Sequence, residues 1–377
     1  MPNSVVITGL GMVTPLGSDA REVLRRMEAG ESAAAAPVGF DATPFACPVC
    51  AQVRDFQPQR FVSEAKMLRL MNRDAQFAVA AARLALQDAR LIVGTDYAPE
   101  DIGLFGATGM AGLPLGEVAP LLRASTGADG RLDLTRFGQA GLRAISPLLS
   151  FKILGNMPLC FVSICENIQG PNAIYTPWEG QGAQAIEAGC LAIQNGQARC
   201  ALVGGCDAKT HELAFLSLEQ QGVFQSWKEE RTGAVPGEGA VFLVLEKEAD
   251  AAARGARSYV RVADFSIGTR HKEQSRSDTY AEVLRRIGST LSLHVLCVSS
   301  ANGAPSAEQD ETQALSSLGI SATTVIHPKK QTGDLFAAAA PLQVALGALL
   351  AERTGGSVLA NCFGHGSEQA TFVLEKP

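Results

Sequence analysis

The residues that first suggest chemistry lie in a turn between a predicted strand and a predicted helix. The segment GPNAIYTPWEGQGAQAIEAGCLAIQNG, residues 170–196, passes from a short strand-like run to an Ala- and Gly-rich helical run. Enzymes with α/β folds often place a nucleophile at such a turn. The centre of this turn is Trp178-Glu179-Gly180, and it contains neither Cys nor Ser. A carboxylate, that of Glu179, therefore takes the position of a nucleophile.

The elements that must position this turn follow from the alternation of residue types. Short β-branched runs alternate with longer Ala- and Leu-rich runs, which predicts α/β layers. The predicted strands are 4–9, 102–108, 173–176, 200–205, 240–246, 260–266, 294–299, 323–327, 357–361 and 371–374. The predicted helices are 20–29, 67–88, 182–195, 279–289, 310–318 and 336–352.

A charged, Ala-rich segment at 246–260 marks the predicted boundary between two halves, residues 1–248 and 249–377. Each half has helices followed by a Gly-rich strand and a return, so a duplicated architecture is expected, although the sequence repeat itself is weak. With 377 residues and 46% hydrophobic content, the chain can bury a large core. We expect the two halves to share one compact body.

Composition excludes several classes of function. The net charge of −6 argues against a nucleic-acid-binding protein, which normally presents a basic face. No apolar run reaches the length of a membrane span, and the amino terminus MPNSVVITGLG lacks the pattern of a signal peptide. These features predict a cytoplasmic protein without membrane insertion. The nine Cys, mostly in apolar segments, are expected to be buried reduced thiols.

Two motifs resemble ligand sites but are incomplete. Cys47-Pro48-Val49-Cys50 is a CxxC pair without a second pair or a nearby His, so a zinc site is not expected. The opening glycines, Gly9, Gly11 and Gly17, lack the third Gly of the dinucleotide fingerprint and the Gly-Lys-Ser/Thr of a P-loop. The opening segment is predicted to be a strand followed by a tight turn.

Several motifs, in order along nearly the whole chain, resemble the β-ketoacyl synthases, the condensing enzymes of fatty-acid and polyketide assembly. The opening VITGLGMVTPLG resembles their first strand and turn, and MLRLMNRDAQFAVAAARLALQDARL is similar to their first long helix. Further matching segments are ISPLLSFKILGNMP (145–158), GPN (170–172), ALVGGCD (201–207), RTGAVPGEGAVFLVLE (231–246) and NCFGHGSEQATFVLE (361–375).

The resemblance implies a thiolase-like fold, with two similar βαβαβαβ halves in five αβαβα layers, dimeric through a central strand. Active members of the family use one Cys and two His. The Cys lies at the amino end of a buried helix, where the helix dipole favours a thiolate. The two His donate hydrogen bonds to the thioester oxygen and stabilise the developing negative charge.

In this sequence all three catalytic positions of the family differ. Counting from Gly170-Pro171-Asn172, the Cys position falls on Glu179. The first His is replaced by Asn302 and the second by Asp334, whereas Lys329 retains the family lysine. The closing gate, Gly-Phe-Gly in the family, reads Gly364-His365-Gly366 after Phe363.

These substitutions oppose condensation. An acyl group on Glu179 would be a mixed anhydride, which is a reactive and wasteful intermediate. Ionised Glu179 and Asp334 cannot donate a hydrogen bond to an oxyanion, which leaves Asn302 as a single donor. Glu179, Asp334 and Lys329 could act as an altered acid–base set, but a buried salt-bridged plug around Lys329 is the favoured interpretation. His365 could replace a lost His, although a structural role is favoured for it.

A family member of this kind is the chain-length factor, which lacks the catalytic Cys and pairs with an active ketosynthase. By resemblance, this chain would limit product length in a type II polyketide or aryl polyene system. Many chain-length factors carry Gln where Glu179 stands here. The residues expected at the acyl tunnel and the subunit interface are Gly109, Met110, Gly112, Leu113 and Gly116, which could equally pack at a homodimer seam.

The expected partners are an active ketosynthase subunit, in a heterodimer, and an acyl carrier protein that binds mainly through that subunit. Lys66, Arg69 and Arg73 lie at roughly helical spacing and could attract an acidic carrier protein, although a solvated helix face is the simpler explanation. No cofactor and no metal are expected. Two alternatives stay open: an independent enzyme with an altered acid–base site, and a homodimeric protein that binds acyl groups.

Overall fold

The structure, a computed structural model, describes residues 4–109, 113, 115–287 and 294–377. Within these residues ten strands form one mixed sheet, and two short strands form a separate antiparallel pair. The strands are β1 (Val5–Val13), β2 (Ala34–Ala35), β3 (Cys50–Ala51), β4 (Ile102–Thr108), β5 (Asn172–Tyr175), β6 (Cys200–Ala208), β7 (Glu238–Lys247), β8 (Val260–Thr269), β9 (His294–Val298), β10 (Ser321–Ile326), β11 (Val358–Cys362) and β12 (Glu368–Glu375).

The large sheet consists of two five-stranded sets with the same order and the same directions. The first set runs β1-β7-β6-β4-β5 and the second runs β8-β12-β11-β9-β10. In each set the first three strands are antiparallel and the last three are parallel. The sets meet where Val6 pairs with Arg261 and Ile7 with Val260. This repeated order is what two similar halves would produce, and the boundary at residue 248 stays a prediction.

Helices cover both faces of the two strand sets. They are α1 (Ala20–Glu28), α2 (Ala65–Leu70), α3 (Arg73–Asp88), α4 (Leu115–Ser125), α5 (Leu134–Arg136), α6 (Leu149–Ile153), α7 (Met157–Glu166), α8 (Glu179–Gln194), α9 (Glu212–Gln220), α10 (Gln225–Glu230), α11 (Glu248–Ala253), α12 (Arg276–Arg286), α13 (Pro305–Ser317), α14 (Pro328–Thr332) and α15 (Ala339–Thr354).

The middle layer is formed by α8 and α15, which pack on each other and contact strands of both sets. Helix α15 is buried on all sides from Ala339 to Ala351, as expected for a helix enclosed by the core. Helix α3 covers the outer face of the first set, and α12 with α13 covers that of the second. The amino end of α8 therefore lies in the centre of the molecule.

The prediction of a turn directly after Gly9 was wrong, because β1 continues to Val13. A Cβ atom on Gly9 would lie 2.3 Å from the carbonyl oxygen of Ala85, and one on Gly11 would lie 2.0 Å from that of Ala81. These two glycines therefore allow α3 to pack closely on the strand. The turn itself is centred further on, where Thr14 and Gly17 exchange backbone hydrogen bonds.

The single helix predicted over residues 67–88 is two helices. Helix α2 ends at Leu70, and α3 begins at Arg73 after Asn72, whose side chain accepts a hydrogen bond from the backbone N–H of Ala75. An Asn at this position is a preferred N-cap, so a new helix starts here although the apolar pattern continues. The sequence analysis also missed the helices α4 to α7, α9 to α11 and α14.

Among the described residues, the longest helices have 16 residues, and none combines the length and the apolar character required to cross a membrane. The CxxC thiols lie in the core under α9. Cys47 and Cys50 are both buried and unpaired in the described part of the chain, and burial raises the pKa of each thiol to about 12. A thiol that stays protonated at neutral pH is a poor nucleophile and a poor metal ligand.

Candidate functional site

The strand, turn and helix predicted around Glu179 are present. Strand β5 ends at Tyr175, and α8 begins at Glu179, three residues earlier than predicted. The backbone N–H of Trp178, the N-cap residue, donates a 2.8 Å hydrogen bond to the Gln181 side chain, which closes the first turn of the helix. The Glu179 side chain is 1% exposed. Its carboxylate therefore lies in the first turn of a buried helix, where the helix dipole favours a negative charge.

Lys329 joins the two acidic residues that sequence comparison placed at catalytic positions. Its ammonium Nζ lies 3.5 Å from Glu179 Oε1 and 3.2 Å from Asp334 Oδ2. It also donates a 2.8 Å hydrogen bond to the carbonyl oxygen of Phe363. The side chains of all three ionic groups are at most 2% exposed. The expected ion pairs of Lys329 are thus present, with both carboxylates at once.

Asp334 also fixes the backbone that leads into the middle layer. Its Oδ1 accepts a 2.9 Å hydrogen bond from the N–H of Phe336, which has a φ of 48°. A positive φ is unfavourable for a bulky aromatic residue and persists only where the surroundings impose it. The backbone of Asp334 is itself held by hydrogen bonds to Val235 and Gly237. The carboxylate at this position therefore has a structural role in addition to its charge.

The closing gate packs directly on Glu179. The N–H of His365 donates a 3.1 Å hydrogen bond to Glu179 Oε1. A Cβ atom on Gly364 would lie 2.4 Å from Glu179 Cδ, far inside van der Waals contact. The backbone of the gate can approach the carboxylate this closely only because residue 364 is a glycine.

Asn302 and His365 form a second polar pair beside the charge cluster. Asn302 Oδ1 accepts a hydrogen bond from the N–H of Ala304 at 3.1 Å, so its Nδ2 is the atom that donates toward His365 Nε2, also at 3.1 Å. This arrangement assigns the ring proton of a neutral His365 to Nδ1. The ring keeps a small exposed fraction and lies 6.5 Å from the Trp178 ring. His365 therefore has the structural contacts that were favoured for it.

The electrostatic state of the cluster follows from burial and from these contacts. Burial would raise the pKa of Glu179, but Lys329 and the His365 N–H hold that pKa down at about 2. Burial lowers the pKa of Lys329, but the charges of Asp334 and Glu179 outweigh it and raise that pKa above its ordinary value. Burial lowers the pKa of His365 to about 4. At neutral pH the cluster therefore contains an ammonium, an ionised Glu179 and a neutral imidazole.

The pKa of Asp334 is shifted in the direction opposite to that of Glu179. Burial, together with the nearby Glu179 charge, raises the pKa of Asp334 to about 7, although Lys329 opposes the shift. Among the described residues, Asp334 Oδ2 and Glu179 Oε2 have no hydrogen-bond partner. The contact of Oδ2 with Lys329, at 3.2 Å, is an ion pair. Two ionised carboxylates and one ammonium would leave one uncompensated negative charge, which a proton on Asp334 removes.

Three groups of this cluster have the spacing of metal ligands. The ligand atoms of Glu179, Asp334 and His365 lie within 4.8 Å of one another. However, the ammonium of Lys329 already contacts both carboxylates, and His365 Nε2 accepts from Asn302. The position of a cation between the carboxylates is thus held by a lysine. The chemistry that fits this geometry is an internal charge plug rather than a Lewis-acid centre.

The structure describes only some of the residues that were predicted to line the acyl tunnel. Met110 and Gly112 lie outside the described residues. Leu113 is buried, whereas Gly116 is exposed in the first turn of α4, with open space around its Cα. A Cβ atom on Gly109 would lie 2.2 Å from Asp207 Oδ1. Gly109 therefore lies directly against a buried carboxylate.

Sequence analysis missed the ion pair beside Gly109. Lys209 Nζ donates to the carboxylate of Asp207 and lies 4.5 Å from the centre of the Phe336 ring and 5.9 Å from that of Trp178. These contacts connect the end of β6 to the amino end of α8. The sequence signal for this pair was Asp207, the last residue of the ALVGGCD segment. The sequence analysis used that segment to support the family resemblance and did not treat its Asp as a site residue. Asp207 is 1% exposed, so this pair is a second buried charge near the predicted tunnel.

The three basic residues do not share one helix. Lys66 and Arg69 are exposed on α2, whereas Arg73 begins α3. Arg73 donates two hydrogen bonds, at 2.9 and 2.5 Å, to the buried carboxylate of Glu238. The expectation of one basic helix face was therefore wrong, because Arg73 serves an internal carboxylate. Arg69 and Arg73 border an open groove of about 1070 Å³.

Comparison with known proteins identifies the family of this chain. The family model described as Beta-ketoacyl synthase, N-terminal domain, matches residues 2–251. The chain is 27% identical over 274 residues to 3-oxoacyl-[acyl-carrier-protein] synthase 2 of Synechocystis sp., covering 70% of this chain and 62% of that protein. It is 29% identical over 289 residues to the protein of the same name from Coxiella burnetii, covering 74% and 66%. The chain thus spans just under two thirds of the length of these curated relatives.

Solved structures with the same architecture cover the whole chain. The ishigamide ketosynthase/chain length factor has a TM-score of 0.82 at 22% identity, and both chains are covered completely. A β-ketoacyl synthase from Burkholderia phymatum gives 0.82 at 20% identity, again over both complete chains. At such identities the likeness concerns the fold. The predicted thiolase-like fold, a mixed α/β structure with helices on both sides of a large central sheet, is confirmed.

Proposed function

We propose that this chain, which belongs to the β-ketoacyl synthase family, is a non-catalytic subunit of the chain-length-factor type. In this proposal it pairs with an active ketosynthase subunit, whose Cys performs condensation on an acyl carrier protein. This chain supplies structure and one wall of the acyl tunnel. The product class is a polyketide or an aryl polyene.

The observation that carries the proposal is the state of Glu179. At the position of the nucleophile, the side chain is a buried carboxylate in contact with Lys329 and with the gate backbone. Its low pKa makes it a poor general acid, and Lys329, fully protonated at neutral pH, cannot act as a base. A group of this kind fills the space of the nucleophile without providing its chemistry.

The exposed apolar side chains support the proposal that the chain binds a partner subunit. Fourteen large hydrophobic side chains of the described residues are exposed, and ten of them lie in one stretch of the chain. Apolar side chains that are exposed in such number mark interaction sites where they form a contiguous surface. The ten are Leu115, Leu122, Leu132, Leu134, Leu142, Leu148, Phe151, Ile153, Leu154 and Ile164.

Strand β5, which ends just before the nucleophile turn, is an edge strand of the sheet. An unpaired edge strand with apolar surface on its flanks is suited to pairing with a second chain. Two of the similar structures are each a ketosynthase with a chain length factor. A third is a type II polyketide acyl-carrier protein in complex with its ketosynthase.

One observation favours the rival of an independent enzyme. Asp334 has a pKa of about 7, which is the range that a general acid or base requires. The curated relatives are also named as synthases. This rival requires turnover by the chain alone, and turnover must be lost in Glu179→Gln. A homodimeric acyl-binding protein would instead retain acyl ligands on purification without a partner.

The test is co-expression with the active ketosynthase of the same biosynthetic system. We expect a one-to-one complex by light scattering, and condensation of malonyl-loaded carrier protein that disappears when the partner's Cys is replaced by Ala. A chain that forms only homodimers and ignores the ketosynthase would overturn the proposal. Turnover by the chain alone, sensitive to Glu179→Gln, would establish the rival.

A further inference from the structure

The surface beside the β5 edge continues onto one face of α8. Ala173 and Tyr175 of β5 and Ala188 of α8 are partly exposed and pack together against the same core. One helical turn further on, Leu191 is 42% exposed. Residues 184, 187, 188 and 191 follow the i, i+3, i+4, i+7 spacing of a single helix face. This face and the β5 edge form one continuous seam.

Glu187 is the acidic residue in the middle of this helix face. It is half-buried in the isolated chain, and no hydrogen bond or ion pair of its carboxylate is found among the described residues. Burial raises the pKa of Glu187, and its charge in turn acts on Tyr175 at the end of β5. Glu166, which is also half-buried, has by contrast a basic partner in Arg83. On this apolar seam the charge of Glu187 is not balanced within the described part of the chain.

The symmetry of a homodimer would make this charge costly. Two identical chains that pair through the same edge strand are related by a two-fold axis, so each surface group near the axis meets its own copy. Strand β5 has only four residues, which puts Tyr175 and its neighbour Glu187 close to such an axis. Two carboxylates would then lose water together without a counter-ion.

We propose that Glu187 disfavours self-pairing across the β5 edge and is neutralised in the assembled enzyme by a basic side chain on a paralogous subunit. The occupant of the seam is thus a second chain of the same fold, which presents an Arg or Lys opposite Glu187. This inference rests on the proposed function for the nature of the partner. Its first part, discrimination against a second copy of this chain, is independent of that function.

The test measures two association constants for the full chain and for its Glu187→Gln variant, which keeps the shape and removes the charge. By sedimentation, we expect the variant to self-associate at least about tenfold more tightly than the wild type. We expect its affinity for the active ketosynthase to fall by at least about tenfold. Glu273→Gln, at an exposed position after β8, serves as the charge-matched control and should leave both constants unchanged.

The outcomes separate this inference from the proposed function. If the wild type binds the ketosynthase but Glu187→Gln changes neither constant, the role of Glu187 is overturned and the subunit role stands. A wild-type homodimer as tight as that of the variant also overturns it. If the wild type binds no ketosynthase, the proposed function fails. In that case the self-association of Glu187→Gln still decides the first part: tighter pairing supports it, and unchanged pairing contradicts it.

Discussion

Lys329 is the residue on which the buried charge cluster depends. It is the cation that contacts both Glu179 and Asp334, and all three side chains are almost fully buried. A buried ion pair contributes little net stability compared with an apolar replacement of the whole group, but removing one partner leaves an uncompensated charge. The cluster therefore stabilises the fold only as a complete set.

Replacing Lys329 by Met should lower the free energy of unfolding by about 3–5 kcal/mol, since the ionised Glu179 then lacks its counter-charge. The measurement is urea denaturation at neutral pH. Lys330→Met is the neighbouring control, because Lys330 pairs with Glu308 near the surface, where removal of an ion pair costs about 1 kcal/mol or less. Equal losses for the two variants would contradict a buried plug.

Asp334 gives the cluster a defined pH dependence. Its ordinary pKa of 3.8 is raised to about 7 in the fold, so between these values the folded chain holds a proton that the unfolded chain has released. Stability from this residue is therefore lost as pH rises from about 4 to about 7. The pKa of His365 is lowered from 6.5 to about 4, so its contribution to stability increases as pH rises through this range. The two contributions therefore partly cancel in the pH profile of the wild-type stability.

The variant Asp334→Asn isolates the contribution of Asp334. It keeps the Oδ1 acceptor for Phe336 and is neutral at every pH, so its stability relative to the wild type should increase from about pH 4 to about pH 7 and then stay level. Thermal unfolding in matched buffers measures this difference. Asp250→Asn, near the protein surface, is the control and should run parallel to the wild type. A constant difference for Asp334→Asn would show that this carboxyl is ionised throughout.

At the scale of elements, the backbone of the gate packs against the amino end of α8 at Gly364. The close approach of its backbone to Glu179 leaves no room for a methyl group. The gate can lie this close to α8 because a glycine faces the carboxylate. The sequence analysis named Phe363 and His365 for the gate, whereas the glycine between them makes the direct packing contact.

Gly364→Ala should destabilise the fold, and the loss should shrink by about 2 kcal/mol when Glu179 is also replaced by Ala, because the clash partner is then absent. A double-mutant cycle by chemical denaturation gives this coupling. Gly116→Ala is the control, since a Cβ atom there meets nothing within 4 Å and Ala favours a helix. Additive effects of Gly364→Ala and Glu179→Ala would mean that the gate relaxes away from α8.

Strands and the nucleophile turn could be predicted from the sequence because their residues carry local signals. The β-branched runs gave β4 at its observed bounds and placed most other strands within a few residues. The split between α2 and α3 was missed because the apolar period continues across Asn72, and only the cap marks the break. The start of α8 was misplaced because Gly180 and Gly182 weaken the helical pattern at its first turn, although these residues are buried in the helix.

The charge cluster was predicted by position, but its contacts depend on distant segments. Lys329 and Asp334 lie close together in sequence, so their pairing was foreseeable, whereas Glu179 precedes them by about 150 residues. Only the resemblance to the family assigned Glu179 to the same site as Lys329 and Asp334. The Lys209–Asp207 pair and Gly364 have no comparable sequence signal, because their roles arise from which backbone passes nearby in three dimensions.

At the scale of the whole molecule, the proposed assembly rests on the exposed apolar stretch and the β5 edge. Ile164→Asp, on α7 beside β5, should leave the thermal midpoint unchanged, because the side chain is already 62% exposed. The same change should weaken the complex with the ketosynthase by about 100-fold, since it places a charge in an apolar interface. Ile92→Asp is the matched control, because Ile92 is 63% exposed and lies outside this stretch. Equal effects of both substitutions on assembly would argue against this interface.

The central claim is that condensation occurs on the partner and never on this chain. The most direct measurement is intact-protein mass spectrometry of the assembled complex after incubation with acyl-loaded carrier protein. The account predicts an acyl adduct on the ketosynthase subunit alone, lost when its Cys is replaced, with the mass of this chain unchanged. An acyl adduct on this chain that disappears in Glu179→Gln would contradict the account and make Glu179 a nucleophile.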